Sequence, residues 1–240
     1  MKVIGVIPSR YESSRFPGKP LIDLEGKTMI QRVYEGVNRS SKIEQVVVAT
    51  DDQRIFDEVE SFKGNVLMTA SHHTTGTERC IEIAENYGDF DVLINIQGDE
   101  PLVDVVQLEQ LISVFEDQSV QIATMASKNI SAEELSNVNR IKLIVDSSNN
   151  AMYFSRSVIP NDSKRDFPFS YMKHIGLYAF RKEALARIAS MTPCDIEKAE
   201  SLEQLRWMYF GEKIRVVHTS IETPNIDVPE DVENVLKLLR

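Results

Sequence analysis

Residues 2–21, KVIGVIPSRYESSRFPGKPL, run from a β-branched apolar stretch into a loop holding Arg10, Arg15 and Lys19 beside Pro17 and Gly18. A buried strand that delivers three cations and a bendable backbone to one point suits a polyphosphate. The spacing is neither the GxxxxGK[ST] of a Walker loop nor the GxGxxG of dinucleotide-binding folds. Arginine forks grip phosphate oxygens in pairs, and each charge-assisted hydrogen bond contributes about 1.5–3 kcal/mol. A strand emptying into a ligand loop before a helix marks the binding edge of an open α/β sheet.

The rest of the N-terminal half continues that pattern. Strand-like runs at Val3 to Ile7, Val46 to Ala49, Val66 to Met68 and Val92 to Ile96 alternate with helical spacing. The helical stretches are Met29 to Val37, Ile55 to Val59, Cys80 to Ala84 and Val105 to Phe115. Such alternation predicts a mainly parallel central sheet with helices on both faces and ligands beyond the strand carboxyl ends. After Ala123 the rhythm changes. A polar, helix-like stretch (127–140) precedes strands at Ile141 to Val145, Ala151 to Phe154 and His174 to Phe180, with a turn-rich excursion at Pro160 to Phe169. Residues 125–181 are expected to form a β-rich insertion and a dimer surface within one domain spanning 1–240. Helices are expected at 182–190, at 195–210 and from Pro229, with a strand at Ile214 to Val217.

Composition narrows the function. The 240 residues carry 37 acidic and 27 basic side chains, a net charge of −10, which argues against a general nucleic-acid binder. A hydrophobic fraction of 42% is enough for a sizeable core. Cys80 and Cys194 have no CxxC or zinc spacing and read as free thiols. No signal peptide and no membrane-spanning run are evident, so a cytoplasmic, non-membrane protein is expected.

Three further clusters carry chemistry. Val92 to Ile96 leads into Gln97-Gly98-Asp99-Glu100-Pro101, a carboxylate at a strand tip suited to a hard cation, with the glycine leaving room for a ligand. Near the other end, Asp227 in PNIDVPED either caps the last helix or supplies a second carboxylate to the same cation. In SHHTTGTER, glycine among hydroxyl residues offers exposed amides at a helix start. Arg79, in the first turn of that helix, is badly placed against the dipole and so is expected to serve a ligand's carboxylate. His72 and His73, read as strand neighbours, would point apart and hold no metal.

In order along the chain, PSRYESSRFPGKPL, VATDD, TTGTER, INIQGDEP, YFSRSVIP, HIGLYAFR, LEQLR and IDVPED resemble the 3-deoxy-manno-octulosonate cytidylyltransferase (CMP-Kdo synthetase) family. The resemblance implies a Rossmann-like nucleotidyltransferase, usually a homodimer, that uses Mg2+ to transfer CMP from CTP to Kdo for lipopolysaccharide. It implies catalytic roles for Arg10, Lys19, Asp99 and Asp227, with the two aspartates as metal ligands. CTP contacts are implied for Ser9, Arg10, Arg15, Lys19, Thr75, Gly76 and Thr77. Sugar contacts are implied for Arg79, Gln97, His174, Tyr178, Glu203 and Gln204. This chain departs from the family in having His72-His73 for Asp-His, Thr75 for serine, and Asn225 and Val228 for glycine and threonine. The cations of the first loop and both candidate metal aspartates are kept, and asparagine tolerates a left-handed turn at 225. Rival readings are a sister enzyme for a related keto-sugar acid, such as 8-amino-Kdo or a sialic-acid-like substrate, and an inactive nucleotide-binding protein.

Overall fold

Val3–Ser9, almost wholly buried, forms strand β1, and the computed structural model describes residues 1–13, 15–163 and 167–240 around it. Two compact units emerge, one made of 1–112 with 222–240 and the other of 113–221.

In the first unit, β1 pairs in parallel with β2 (Gln45–Thr50) on one side and β4 (Val92–Asn95) on the other. β3 (Val66–Met68) adds in parallel beyond β2, giving the order β3-β2-β1-β4. Chain direction across the sheet reverses between β1 and β4, and a crevice at such a switch point is where open α/β sheets bind ligands. Helices α1 (Met29–Val37), α2 (Gln53–Ser61) and α3 (Gly76–Asn86) connect the strands, and α4 (Val105–Ser113) follows β4. A Cβ on Gly5 would meet Val37 of α1, whereas one on Gly76 of α3 would meet Pro8. Residues 5 and 8 of a strand face opposite ways, so α1 and α3 cover opposite faces. The mostly parallel sheet flanked by helices is the expected architecture.

The last helix, α9 (Asp231–Leu239), returns to this unit through an apolar cluster. Leu24, Met29, Ile226 and Val235 are fully buried there, with Phe16, Ile22 and Leu102 packed against them. This contact draws the C-terminal segment against residues that follow the first loop of the same unit.

In the second unit, β5 (Ile122–Ser127) lies between antiparallel β8 (Lys173–Arg181) and parallel β9 (Ile214–Thr219). β6 (Lys142–Val145) and β7 (Ala151–Ser155) form a hairpin, and β6 touches β8 at Lys142 and Lys173. β5 crosses residue 125, the expected start of the insertion. The polar stretch 127–140 forms only the five-residue α5 (Ala132–Ser136). α6 (Lys182–Ala189) matches its expected span. The helix expected over 195–210 is two, α7 (Asp195–Glu200) and α8 (Gln204–Tyr209), because Ser201 adopts φ 52° and Leu202 N bonds back to Glu197 O. Cys80 and Cys194 are buried and are not joined in a disulfide. Of the 160–169 excursion, residues 164–166 lie outside the described residues, as does Ser14 of the first loop. Among the described residues, no helix is long and apolar enough to cross a membrane.

Candidate active site

β1 ends at Ser9, and the chain enters the loop with Arg10 exposed to solvent. Gly18, at φ 73°, donates its N–H to the Tyr11 carbonyl at 2.9 Å and closes the loop. A Cβ at Gly18 would crowd the Tyr11 ring at 3.1 Å, and a left-handed φ also favours glycine. The Arg54 guanidinium stacks 3.2 Å from the centre of that ring while forking onto Asp52, the N-cap of α2. The loop is thus braced from below by an aromatic ring that sequence reasoning passed over; the Asp-Asp-x-Arg run at 51–54 was its signal. Ser9 Oγ is buried and has no hydrogen-bond partner among the described residues.

Lys19, at the loop's far end, reaches both candidate metal carboxylates. Its Nζ donates to Asp99 Oδ2 and to the Ile226 carbonyl, each at 2.8 Å, and lies 3.9 Å from Asp227 Oδ1. Arg15 Nη2 donates to Asp227 Oδ1 at 3.0 Å, and Asn225 Nδ2 donates to its Oδ2 at 3.0 Å. The Lys19 side chain is only 13% exposed, against 63% for Arg15. The lysine pair is therefore less screened than the arginine pair, which contributes little to stability. Ile226 N donates to Asp99 O at 2.9 Å, so the β4 tip and the C-terminal segment are tied directly.

Two sequence expectations change here. Asp227 does not cap α9: Asp231 Oδ2 accepts the N–H groups of Asp227 and Val228 at 2.8 and 3.0 Å, leaving the Asp227 carboxylate for the cations. Asn225 is not left-handed; its amide instead orients Asp227. Gly98 serves packing, since a Cβ there would lie 3.0 Å from the Pro8 carbonyl oxygen. Burial, followed by the Asp99 charge, pushes the neighbouring Glu100 carboxyl up to about 7, against a hydrogen bond from Thr223.

The 71–79 segment is a turn leading into α3. Thr75 is the N-cap in a reciprocal capping box with Glu78, and Gly76 and Thr77 open the helix. His72 and His73 do not point apart as strand neighbours would: in a turn their rings lie 4.7 Å from each other. His73 Nε2 meets Glu82, whose Oε2 also accepts the Ala70 N–H. Backbone bonds at Thr74 and Thr75 together with His73 hold the Glu78 carboxyl below its usual range despite burial. Arg79, buried, finds its carboxylate within the protein: it donates to Asp51 Oδ2 at 2.8 Å and to Thr69 Oγ1 at 2.6 Å. Gln97 is half-buried just beyond β4.

The remaining predicted residues belong to the second unit. His174 and Tyr178 of β8 have ring centres 5.3 Å apart, and Tyr178 meets Trp207 edge-on at 5.2 Å. Burial lowers His174 to about 3 and, with the Glu203 charge, raises Tyr178 well above its ordinary value. Gln204 starts α8, with its Nε2 buried and unpartnered among the described residues, as is Trp207 Nε1.

Two carboxylates converging on one ammonium form an all-oxygen anionic donor set. Magnesium takes one or two carboxylates and fills its other positions with phosphate and water, so Asp99 and Asp227 fit that ion. No group of three His, Cys, Asp or Glu ligands occurs among the described residues, which leaves substrate or water to complete any shell.

Residues 4–214 match the family model described as Cytidylyltransferase. The 3-deoxy-manno-octulosonate cytidylyltransferase of Bacteroides thetaiotaomicron is 47% identical, covering 100% of this chain and 99% of its own. That of Fusobacterium nucleatum is 41% identical, covering 100% and 98%. A solved CMP:2-keto-3-deoxy-manno-octonic acid synthetase complexed with CTP superimposes with a TM-score of 0.94 at 39% identity, covering 100% and 98%. The fold alone extends to a 4-diphosphocytidyl-2C-methyl-D-erythritol synthase from Anaerococcus prevotii, at TM-score 0.64 and 19% identity.

Proposed function

The chain belongs to the 3-deoxy-manno-octulosonate cytidylyltransferase family, and from that premise we propose its reaction residue by residue. The enzyme is a nucleotidyltransferase that moves CMP from CTP to Kdo and releases pyrophosphate. The observation that carries this reading is the Lys19 ammonium, held between Asp99 and Asp227 beside the loop of Arg10 and Arg15.

The anomeric hydroxyl oxygen of Kdo attacks the α-phosphorus of CTP and gives up its proton to solvent, while the bond from that phosphorus to the oxygen bridging the β-phosphate breaks and that oxygen leaves with pyrophosphate. Both reactants are anionic, so positioning and charge stabilisation dominate, with no covalent enzyme intermediate. Arg10, Arg15 and Lys19 hold the triphosphate and take up the charge that grows on the leaving pyrophosphate. Asp99 and Asp227 would hold magnesium. The chemistry such an ion supplies is neutralisation between the two anions and acidification of the attacking hydroxyl. Ser9, with its unpartnered buried hydroxyl, and Thr75, Gly76 and Thr77 at the α3 terminus face the cytidine in this reading. Gln97, His174, Tyr178, Glu203 and Gln204 contact the sugar acid. Arg79, committed to Asp51, acts by holding the turn that follows β2.

A homodimer, a cytoplasmic location and supply of CMP-Kdo to lipopolysaccharide belong to the same proposal. Pyrophosphate release measured across CTP, UTP and ATP, with Kdo, 8-amino-Kdo and N-acetylneuraminate as acceptors, tests it. Turnover is expected with CTP and Kdo. Preference for another acceptor would reassign the sugar pocket, and CTP binding without any pyrophosphate release would overturn the enzymatic reading.

A further inference from the structure

Thr124 is fully buried on β5, where the pairing with β8 slips between Thr124 and Met125. Thr124 faces Tyr178 and Met125 faces Ile175, so β8 carries Gly176 and Leu177 as extra residues between them. Three groups converge on the Thr124 hydroxyl at this bulge. Its Oγ1 lies 2.8 Å from the Leu177 carbonyl, 3.3 Å from the Ile175 carbonyl and 2.9 Å from His174 Nε2.

The shortest of these contacts assigns the hydroxyl hydrogen. A carbonyl oxygen has no hydrogen to give, so the close contact to Leu177 uses the single hydroxyl hydrogen of Thr124. The contact to His174 must then run the other way, with the ring N–H donating to an Oγ1 lone pair. The Tyr178 hydroxyl also lies near Thr124 but makes no hydrogen bond of acceptable geometry, so it does not compete with Leu177 for that hydrogen. His174 therefore carries its proton on Nε2 and keeps the lone pair on Nδ1. Phe154 and Tyr178 enclose the ring at 5.2 and 5.3 Å, and burial disfavours a second proton, although part of the residue stays accessible.

We propose that Thr124 is a positioning residue that locks His174 as the uncharged Nε2–H tautomer, so that Nδ1 accepts a hydrogen bond from a hydroxyl of the sugar acid. This rests on the assignment of His174 to the acceptor pocket made above. A neutral lone pair repels a carboxylate and welcomes an O–H group, so His174 reads the polyol part of the acceptor and leaves its acid group to other residues. The bulge is what brings the Ile175 and Leu177 carbonyls and the His174 ring to one hydroxyl.

The test combines a tautomer measurement with kinetics on the full chain. Long-range 1H–15N correlation of the imidazole is expected to show Nε2 protonated and Nδ1 bare in the wild type. Thr124→Val should produce a mixed tautomer and raise KM for Kdo about tenfold, the loss of roughly one neutral hydrogen bond, with KM for CTP within twofold. Thr124→Ser should restore both readings. An Nδ1–H tautomer in the wild type, a Thr124→Val protein with unchanged tautomer and KM, or equal rises in both KM values would each overturn the proposal. If wild-type protein turned over no keto-sugar acid, the functional assignment would fail, while the tautomer result would still report on Thr124.

Discussion

The Lys19 ammonium sits 2.8 Å from Asp99 Oδ2, joining the end of the first loop to the tip of β4. The same ammonium reaches Ile226 O and Asp227, so one cation balances two acids that would otherwise repel each other. The carboxylates are thereby preset near one another, as a shared hard cation would require. Lys19 has a second use, since phosphate oxygens would compete for the same charge.

Asp99→Asn keeps the size of the side chain and removes one of two anionic oxygen donors. Magnesium-stimulated pyrophosphate release is expected to fall by roughly a hundredfold or more, with the melting temperature nearly unchanged. Wild-type turnover in this variant would take Asp99 out of the mechanism.

Lys19→Met keeps most of the buried stem and deletes the charge. Transition-state stabilisation is expected to drop by about 3 kcal/mol, roughly a hundredfold in kcat, read from single-turnover rates at saturating CTP. A variant altered in KM alone would show that Lys19 binds substrate without stabilising the leaving group.

The Tyr11 ring braces the loop of Arg10 and Arg15 through Arg54. Tyr11→Ala should raise KM for CTP about two- to fivefold, in line with an exposed cation–π contact of about 0.5–1 kcal/mol, while Tyr11→Phe should not. Equal effects of both substitutions would point to the hydroxyl and away from the stack.

At Gly98 the constraint is steric. An alanine Cβ 3.0 Å from the Pro8 carbonyl oxygen forces β1 and β4 apart at their carboxyl ends. Urea denaturation of Gly98→Ala is expected to show a loss of about 1–3 kcal/mol, with turnover reduced because Asp99 is the next residue. An unchanged midpoint would mean the strand tips yield freely.

Burial holds the folded-state pKa of His174 near 3, below its unfolded value of about 6.5. Below 6.5 the unfolded chain binds the proton that the folded chain refuses. The stability present above that pH is therefore lost progressively as pH falls toward 3, by up to a few kcal/mol. Urea midpoints between pH 7 and pH 4 should decline, and His174→Gln should flatten part of the slope. Parallel slopes in the two proteins would show that other groups account for the decline.

Much of the first unit was legible because its signals are local. An apolar β-branched run followed by helical spacing announces a strand and a helix wherever it occurs, and Met29–Val37 forms the helix its spacing predicts. Errors gathered where local signals are weak. One positive φ at Ser201 divides a helix that periodicity alone would continue, and a short capped turn stands for the longer helix read over 127–140. Arg79 was read as set for a ligand's carboxylate, but in the fold its buried guanidinium is taken by half-buried Asp51, a residue 28 positions away that no local spacing could single out.

By itself the chain's order of residues determined the alternating α/β architecture, the cation-rich loop after the first strand and the acids available to a metal, because each is written within a few consecutive positions. Only the tertiary structure decided that Asp99 and Asp227 share one ammonium, and that Thr124 meets His174 across a bulge. The first depends on Ile226 and Val235 burying themselves against Leu24 and Met29, and the second on a slip of register between strands. Packing and pairing over such distances are cooperative properties of the folded chain, and no local period encodes them.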